Sequence, residues 1–261
     1  MINILLITAH PDDEIIFYGS SLYEIAKMPD INIYCICLWG ALEIPGTMRS
    51  ITPGHKDIER LEVFNIICNK MNFKNYHIVS SINHPVDSKI PQTDIILETV
   101  FLNSLNILNL DINDISTIIT HSFYGDERLH PHHIRLYNFF SNYSLINNIG
   151  FSFFSILKLL NINHISILHS TFRYNQLHLL SYDNVDKYNI CNPPDYMIEF
   201  QGNLTIKLEL LKLYTSVDYN KHYNDYMAFS VISERIYFNT IAKYVFDYII
   251  SNMSCIVKDI L

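Results

Sequence analysis

Three stretches of the chain are apolar at nearly every position. They are Ile2 to Thr8, Ile31 to Trp39 and Ile115 to Thr120. Continuous apolar runs of this length are typical of parallel strands, which are covered on both faces, whereas a strand with one solvated face alternates apolar and polar residues. The pattern therefore predicts three buried strands.

Helical patterns lie between and after these strands. Two groups of apolar residues each share one helical face: Ile15, Leu22 and Ile25; and Ile58, Leu61, Phe64, Cys68 and Met71. Helical periodicity returns at Leu204, and the segment from Tyr226 to Val257 is expected to form one long helix or two short ones. Residues 143–194 contain short apolar runs that fit strands and helix fragments equally well, so this region stays unassigned.

Strands that alternate with helices of this size favour right-handed crossovers and a mostly parallel sheet with helices on both faces. The sequence contains no internal repeat, low-complexity tract or linker rich in proline, glycine and serine. We therefore expect an α/β, Rossmann-like fold in which residues 1–261 form a single domain.

The composition favours a globular protein and disfavours other classes. With 49% apolar, 13% aromatic and 17% charged residues in 261, the chain is suited to a globular fold, and its net charge of −8 argues against a general nucleic-acid binder. Polar residues from His10 onward interrupt the first apolar run, and the later run at 150–160 is too short to span a bilayer. The five cysteines form no CxxC pair, which favours buried free thiols. These features predict a cytoplasmic protein without an integral membrane segment.

The first candidate site follows the first strand, where the sequence reads His10-Pro11-Asp12-Asp13-Glu14. In an open α/β sheet, ligands bind beyond the carboxyl ends of the strands. Carboxylates are favoured in the first turn of a helix, but a helix start needs no imidazole. The spacing of His10 and Asp13 lets an imidazole and a carboxylate converge on one cation, with Asp12 elsewhere in the same pocket as a candidate general base.

The second candidate site follows the strand that ends at Thr120. Four of the twelve histidines fall within thirteen residues there: His121, His130, His132 and His133. Imidazole is the commonest metal ligand and a frequent acid or base near neutral pH. Two imidazoles and one carboxylate are typical of a catalytic zinc site with an open position for water, although iron, cobalt and manganese accept the same ligand types.

These two motifs, Ala-His-Pro-Asp-Asp-Glu after the first strand and His-Pro-x-His more than a hundred residues later, resemble those of the LmbE-like or PIG-L-type deacetylases. These are zinc-dependent amidases that remove the N-acetyl group from compounds containing N-acetylglucosamine. By position, the resemblance implies that His10, Asp13 and His133 are the metal ligands and that Asp12 is the general base. It also implies that His130 assists at the tetrahedral intermediate by stabilising the oxyanion or donating a proton.

The chain departs from the family pattern at several positions. His132 stands where many members have aspartate or asparagine. Near Lys207 the family often shows a lysine, then a histidine seven residues later and a glutamine three further on, but Tyr214 and Val217 occupy those places here. An arginine near the second helix often contacts substrate in the family, and Arg60 is the nearest candidate.

The expected function is therefore that of a metal-dependent hydrolase: a metal-activated water attacks the amide of an N-acetylglucosamine-type conjugate and acetate is released. The expected partner is this small amino-sugar conjugate rather than a nucleic acid, and a homo-oligomer is compatible with the sequence. The carrier of the sugar is open between a glycolipid, a nucleotide-sugar, a thiol glycoside and an antibiotic precursor.

Three other classes of protein share some of these sequence features. The departures at His132, Tyr214 and Val217 suggest a non-catalytic sugar- or nucleotide-binding protein that retains the metal pocket. A dinucleotide-dependent oxidoreductase is disfavoured because no G-x-G-x-x-G follows the first strand. A two-metal phosphoesterase is disfavoured because the motifs offer only one spare aspartate beside the histidines.

Overall fold

A computed structural model describes most of the chain. The described residues are 1–39, 55–79, 93–122, 131–155, 167–171, 176–180, 195–200, 203–217, 234–253 and 256–259. The backbone alone is described at 55–60, 131, 154–155, 167–171, 176–180, 204, 215–217 and 256–259.

Ten strands and seven α-helices lie within these ranges. The strands are β1 (Ile2–Thr8), β2 (Ile31–Cys37), β3 (Asn75–Ile78), β4 (Thr117–Thr120), β5 (Gly150–Ser155), β6 (Ile167–Thr171), β7 (Gln176–Leu180), β8 (Tyr196–Phe200), β9 (Glu234–Phe238) and β10 (Ile256–Asp259). The helices are α1 (Asp13–Ile16), α2 (Gly19–Ile25), α3 (His55–Lys70), α4 (Asp94–Leu108), α5 (Pro131–Asn147), α6 (Leu204–Val217) and α7 (Lys243–Asn252). Short 3-10 turns cover Ile112–Asp114 and Thr240–Ala242.

Eight of the described strands form one sheet in the order β10-β8-β9-β5-β4-β1-β2-β3. The first five strands of the chain pair in parallel, in the order 3-2-1-4-5 of doubly wound folds. Strand β9 pairs antiparallel to β5, β8 pairs antiparallel to β9, and β10 pairs antiparallel to β8. Strand β8 therefore runs with the first five, and the predicted mostly parallel α/β fold is confirmed.

Both faces of the sheet are covered by helices. Alternate residues of β1 point to opposite faces, so Ile4 and Leu6 belong to one apolar core while Leu5 and Ile7 belong to the other. The first core also receives apolar side chains from α1, α2, α3, α6 and α7, and the second receives them from α4 and α5. The continuous apolar run of β1 follows from this burial on both faces.

Local side-chain chemistry defines the ends of α4. The Thr93 hydroxyl accepts a hydrogen bond from the Ile96 N–H at 3.4 Å, which satisfies one of the free amides of the first turn. The helix ends at Asn109, whose φ of 52° and ψ of 45° place it in the left-handed region that asparagine tolerates. The helix therefore begins and ends at residues with a capping function.

The predicted strands at Ile2 to Thr8, Ile31 to Trp39 and Ile115 to Thr120 correspond to β1, β2 and β4. Within Tyr226 to Val257, the prediction of one long helix or two short ones is confirmed at α7 and is wrong at β9 and β10, which flank this helix. Strand β9 contains the short run Ile236-Tyr237-Phe238, which is buried between β5 and β8. Periodicity alone does not distinguish a strand from a helix in an apolar run this short.

The sequence predicts no integral membrane segment and predicts that the cysteines are buried free thiols. No helix within the described ranges combines the length and the apolar character needed to cross a bilayer. Cys35, Cys37 and Cys68 are free, buried thiols. Cys191 and Cys255 lie outside the described residues.

Candidate metal centre

The candidate site lies beyond the carboxyl ends of β1 and β4, which are neighbours in the sheet. The chain order reverses at this point, since β2 lies on one side of β1 and β4 on the other. Open α/β sheets bind ligands at such a switch point. The turn containing His10 and Asp13 follows β1, His121 follows β4, and His133 lies in the first turn of α5.

The turn between β1 and α1 is closed by reciprocal hydrogen bonds. The His10 N–H donates to Asp13 Oδ2 at 2.7 Å, and the Asp13 N–H donates to the His10 carbonyl at 3.3 Å. Asp12, between them, has a φ of 123° and a ψ of −27°. A non-glycine residue in such a region is strained by about 1–3 kcal/mol and persists only where its surroundings hold it.

Three side chains present one ligand atom each to a common point, so that these atoms lie within 4.8 Å of one another. His10 Nδ1 lies 3.5 Å from Asp13 Oδ2, and His133 Nε2 lies 3.3 Å from the same oxygen. The two histidine nitrogens are 3.4 Å apart. Asp13 and His133 are buried, while the His10 side chain retains 19% of its exposure.

These separations fit a single divalent ion. Bonds of about 2.0–2.1 Å from nitrogen or oxygen to zinc, at tetrahedral angles, place neighbouring ligand atoms about 3.3–3.4 Å apart. The donor set of two imidazoles and one carboxylate is also that of catalytic zinc sites. The structure thus brings together the three residues that the sequence predicts as ligands.

The electrostatics of Asp13 favour its ionised form. Burial by itself would raise the pKa of this carboxyl, but the neighbouring His133 and His121, together with a hydrogen bond from His10, bring the pKa well below its ordinary value. A deprotonated carboxylate is the form that binds a cation. The buried turn therefore holds a negative charge at the point where the three ligand atoms meet.

His121 is a site residue to which the sequence assigns no role. Its Nε2 accepts a hydrogen bond from the Ala9 N–H at 3.1 Å and lies 3.3 Å from Asp13 Oδ2. Its ring stacks on that of His133, with centroids 3.8 Å apart and an interplanar angle of 6°. Phe17 contacts both rings edge-on. His121 directly follows β4 as His10 closely follows β1, so its position at a strand end was the available signal.

His132 contacts the imidazole of His10, one of the three candidate ligands. Its Nδ1 lies 2.9 Å from His10 Nε2, the ring nitrogen of His10 that faces away from Asp13 and His133. Its ring also stacks on Trp39. Burial, and then repulsion from His10 and His133, lower the pKa of His132 to about 3, so its imidazole is neutral near neutral pH.

Glu14 and Tyr214 form a buried pair next to Asp12. The Tyr214 hydroxyl donates to Glu14 Oε1 at 2.6 Å, and the Asp12 N–H donates to Glu14 Oε2 at 3.0 Å. Burial raises the pKa of Glu14 to about 8, although both hydrogen bonds act in the opposite direction. The sequence accounts for Glu14 only as a carboxylate at a helix start and for Tyr214 only as a departure from the family pattern.

The remaining predicted site residues are described in part or not at all. Asp12 is buried, with 6% of its surface exposed. His130 lies outside the described residues. Arg60 lies in α3, but its side chain is not among those described, and the same holds for Val217 at the end of α6.

A buried ion pair joins helix α6 to strand β9. Lys207 Nζ of α6 lies 2.7 Å from Glu234 Oε1 at the start of β9, and both side chains are almost fully buried. The Glu234 carboxylate also accepts the N–H groups of Ser20 and Ser21, at 3.0 and 2.6 Å, in the first turn of α2. One carboxylate thus connects α2, α6 and β9.

Comparison with protein families supports the two motifs. The family model described as PIG-L, GlcNAc-PI de-N-acetylase, matches residues 5–144, which is slightly more than half of the chain. The matched part begins within β1 and ends within α5, and it contains the three candidate ligands His10, Asp13 and His133. None of the curated proteins matches the chain significantly.

Solved structures of deacetylases are similar in fold. The N,N'-diacetylchitobiose deacetylase from Pyrococcus horikoshii is 14% identical, with a TM-score of 0.53, and the match covers 87% of this chain and 75% of that one. A deacetylase of the teicoplanin biosynthesis pathway is 13% identical, with a TM-score of 0.55 and 98% of each chain covered. A zinc-inhibited form of teicoplanin deacetylase is 12% identical, with the same TM-score and the same coverage. At these identities the likeness is one of fold.

Proposed function

Because the chain belongs to the PIG-L (GlcNAc-PI de-N-acetylase) family, we propose that it is a metal-dependent N-deacetylase acting on an N-acetylglucosamine-type conjugate. The observation that carries this proposal is the convergence of His10 Nδ1, Asp13 Oδ2 and His133 Nε2 at separations of 3.3 to 3.5 Å. The triad lies at the switch point of the sheet, where substrates of α/β enzymes bind. The net reaction converts the N-acetyl amide and water into a primary amine and acetate.

In this proposal His10, Asp13 and His133 hold one divalent ion. Zinc is the first candidate, and iron, cobalt or manganese would also accept two imidazoles and a carboxylate. The ion supplies Lewis-acid polarisation of the amide carbonyl and acidifies water. A zinc-inhibited form is known for the teicoplanin deacetylase of similar fold, so metal content and activity have to be measured separately for each metal.

The other site residues act on protons and on the substrate. Asp12 accepts the proton of the attacking water as general base, and its buried position next to Asp13 favours proton transfer in a water-poor site. His130 stabilises the oxyanion or donates the proton that the leaving amine requires. Arg60 contacts the substrate. These three assignments follow the family motifs and are part of the proposal.

The proposed substrate is a small amino-sugar conjugate, and the proposed location is the cytoplasm. Three free buried thiols favour a reducing compartment, since disulfides are rare in the cytosol. The carrier of the sugar is to be identified by assay. The motifs contain residues assigned to the metal and to the reaction, and none that is assigned to the carrier.

An amine-release assay tests the proposal. The purified protein, with its metal content measured, is incubated with UDP-linked, lipid-linked and free N-acetylglucosamine, with and without a chelator. We expect acetate and primary amine to form in equal amounts from at least one conjugate, and the chelator to abolish both. Stoichiometric metal binding without release of acetate from any conjugate would contradict the proposal and favour a non-catalytic sugar-binding protein.

A further inference from the structure

The backbone of Asp12 is unusual among the described residues. Four non-glycine residues there have a positive φ, and three of them are asparagines between 52° and 58°: Asn72, Asn109 and Asn148. Asp12 is the exception in type and in angle, with a φ of 123°. Asparagine reaches the left-handed region at small cost, whereas an aspartate at this angle needs contacts that hold it there.

The peptide groups on both sides of Asp12 are held by hydrogen bonds. Its carbonyl accepts the N–H groups of Ile15 and Ile16, at 3.0 and 2.9 Å, as expected for the residue before a helix. Its N–H donates to Glu14 Oε2 at 3.0 Å. The carbonyl contacts are backbone contacts that any residue could make, whereas the Glu14 carboxyl group is a side chain that holds this peptide.

The Glu14 carboxyl group is itself held by a residue that is distant in sequence. Its second oxygen, Oε1, accepts the Tyr214 hydroxyl at 2.6 Å, and 200 positions separate these two residues in the sequence. Glu14 and Tyr214 are both fully buried, so water does not replace the hydroxyl readily. With one hydrogen bond at each oxygen, the carboxyl group cannot rotate without losing a contact.

We propose that Tyr214 is a positioning residue for Asp12: its hydroxyl fixes the Glu14 carboxyl group, which holds the strained Asp12 backbone in the conformation from which Asp12 acts. The inference rests on the proposed function, because Asp12 is the general base only in that account. In this account the effect of Tyr214 reaches the reaction through Glu14 and the Asp12 peptide.

Two variants separate this role from general support of the fold. Tyr214→Phe removes one hydroxyl and leaves the ring, and Glu14→Gln keeps the side chain's size but replaces one acceptor with an amide donor. Tyr237→Phe is the matched control, since Tyr237 is equally buried and stacks on Phe153 in the core on the other face of the sheet.

The first readout does not depend on activity. Exchange of the Asp12 amide hydrogen is followed by NMR in the zinc-loaded full-length protein and its variants. We expect Tyr214→Phe and Glu14→Gln to accelerate this exchange, while bound zinc stays at the wild-type level and Tyr237→Phe exchanges like wild type. Unchanged protection of the Asp12 amide in both variants would overturn the inference, whether or not the protein proves to be a deacetylase.

The second readout is a double-mutant cycle on the reaction. We expect Tyr214→Phe to lower kcat by about 10- to 100-fold at unchanged KM, because misplacement of a catalytic group slows the chemical step. In an Asp12→Asn background the same substitution should lower kcat no further, since the group it positions is already gone. An equal loss of kcat in both backgrounds would show that Tyr214 acts independently of Asp12 and would overturn the inference. If the wild type deacetylates no conjugate, the proposed function fails. The amide exchange alone then tests whether Tyr214 and Glu14 hold the Asp12 peptide.

Discussion

The imidazole of His132 lies face to face with the indole of Trp39, with ring centroids 4.5 Å apart and an interplanar angle of 8°. The stacked ring places Nδ1 of His132 2.9 Å from Nε2 of His10. For His10 to offer the Nδ1 lone pair to a cation, its proton has to reside on Nε2, and the neutral His132 accepts that proton in a hydrogen bond. The contacts of Trp39 and His132 therefore favour the tautomer and the ring orientation that His10 needs as a proposed metal ligand.

Replacement of His132 by phenylalanine tests this arrangement. The variant keeps a ring to stack on Trp39 but loses the acceptor for His10, so we expect zinc affinity to fall by about 10- to 100-fold. His132→Asn retains a side-chain acceptor and is the matched comparison, with a smaller expected loss. Competition with a chromogenic chelator measures both affinities, and a His132→Phe affinity equal to that of wild type would show that His10 needs no such partner.

The two adjacent aspartates are expected to respond differently to the same substitution. Asp12→Asn should retain its metal and lose about 10²- to 10⁴-fold in kcat, the usual contribution of a general base. Asp13→Asn should lose its metal, because a neutral amide replaces the carboxylate between the two histidines. Metal analysis and kinetics on the same preparations check both expectations. Full activity of a metal-loaded Asp12→Asn protein would remove Asp12 as the base.

Metal binding is also expected to stabilise the fold. An ion that binds only the native state at about 100 times its dissociation constant adds about 2.7 kcal/mol to the free energy of unfolding. We expect added zinc to raise the melting temperature of the chelator-treated protein and to leave that of Asp13→Asn unchanged. Equal shifts in the two proteins would place the bound ion away from Asp13.

Loss of Lys207 is expected to destabilise the protein strongly. Lys207→Met leaves the Glu234 carboxylate buried without its cation, and such a change costs about 3–5 kcal/mol of the free energy of unfolding. The partly exposed pair of Lys27 and Glu24 provides the control, since Lys27→Met should cost at most about 1 kcal/mol.

A second substitution identifies why Lys207→Met lowers the free energy of unfolding. Adding Glu234→Gln to Lys207→Met should recover part of the lost stability, because the neutral amide oxygen still accepts an N–H of α2 and no buried charge is left unpaired. Urea unfolding gives all these values. A double variant less stable than Lys207→Met would show that the Glu234 charge has other partners that stabilise it.

The fold was predictable where the sequence carries a continuous signal. The apolar runs of β1, β2 and β4 reflect burial on both faces of the sheet, so they indicated parallel strands directly. Strands β8, β9 and β10, whose pairings are antiparallel, were not predicted, because they are short and their pairing depends on contacts distant in sequence. Ile15, Leu22 and Ile25, which were predicted to share one helical face, are all buried, but they belong to two short helices rather than one.

The geometry of the candidate site was predictable where the candidate ligands occur in motifs that follow strands. His10 and Asp13 are close in sequence, and the order of the strands brings His133 to them. The supporting contacts were not predictable, since Tyr214 reaches Glu14 across 200 positions and His132 reaches Trp39 from another element. The family pattern marked Tyr214 and His132 only as departures, while the structure shows what each side chain contacts.

The central claim is that one ion on His10, Asp13 and His133 makes this chain an N-deacetylase. Its most direct test is to remove all metal and to add zinc back in steps while acetate and primary amine are measured with an N-acetylglucosamine conjugate. The account predicts that both products appear in equal amounts and increase until about one ion per chain is bound, and that Asp13→Asn forms neither. Amine release that is independent of added metal, or that persists in Asp13→Asn, would contradict it.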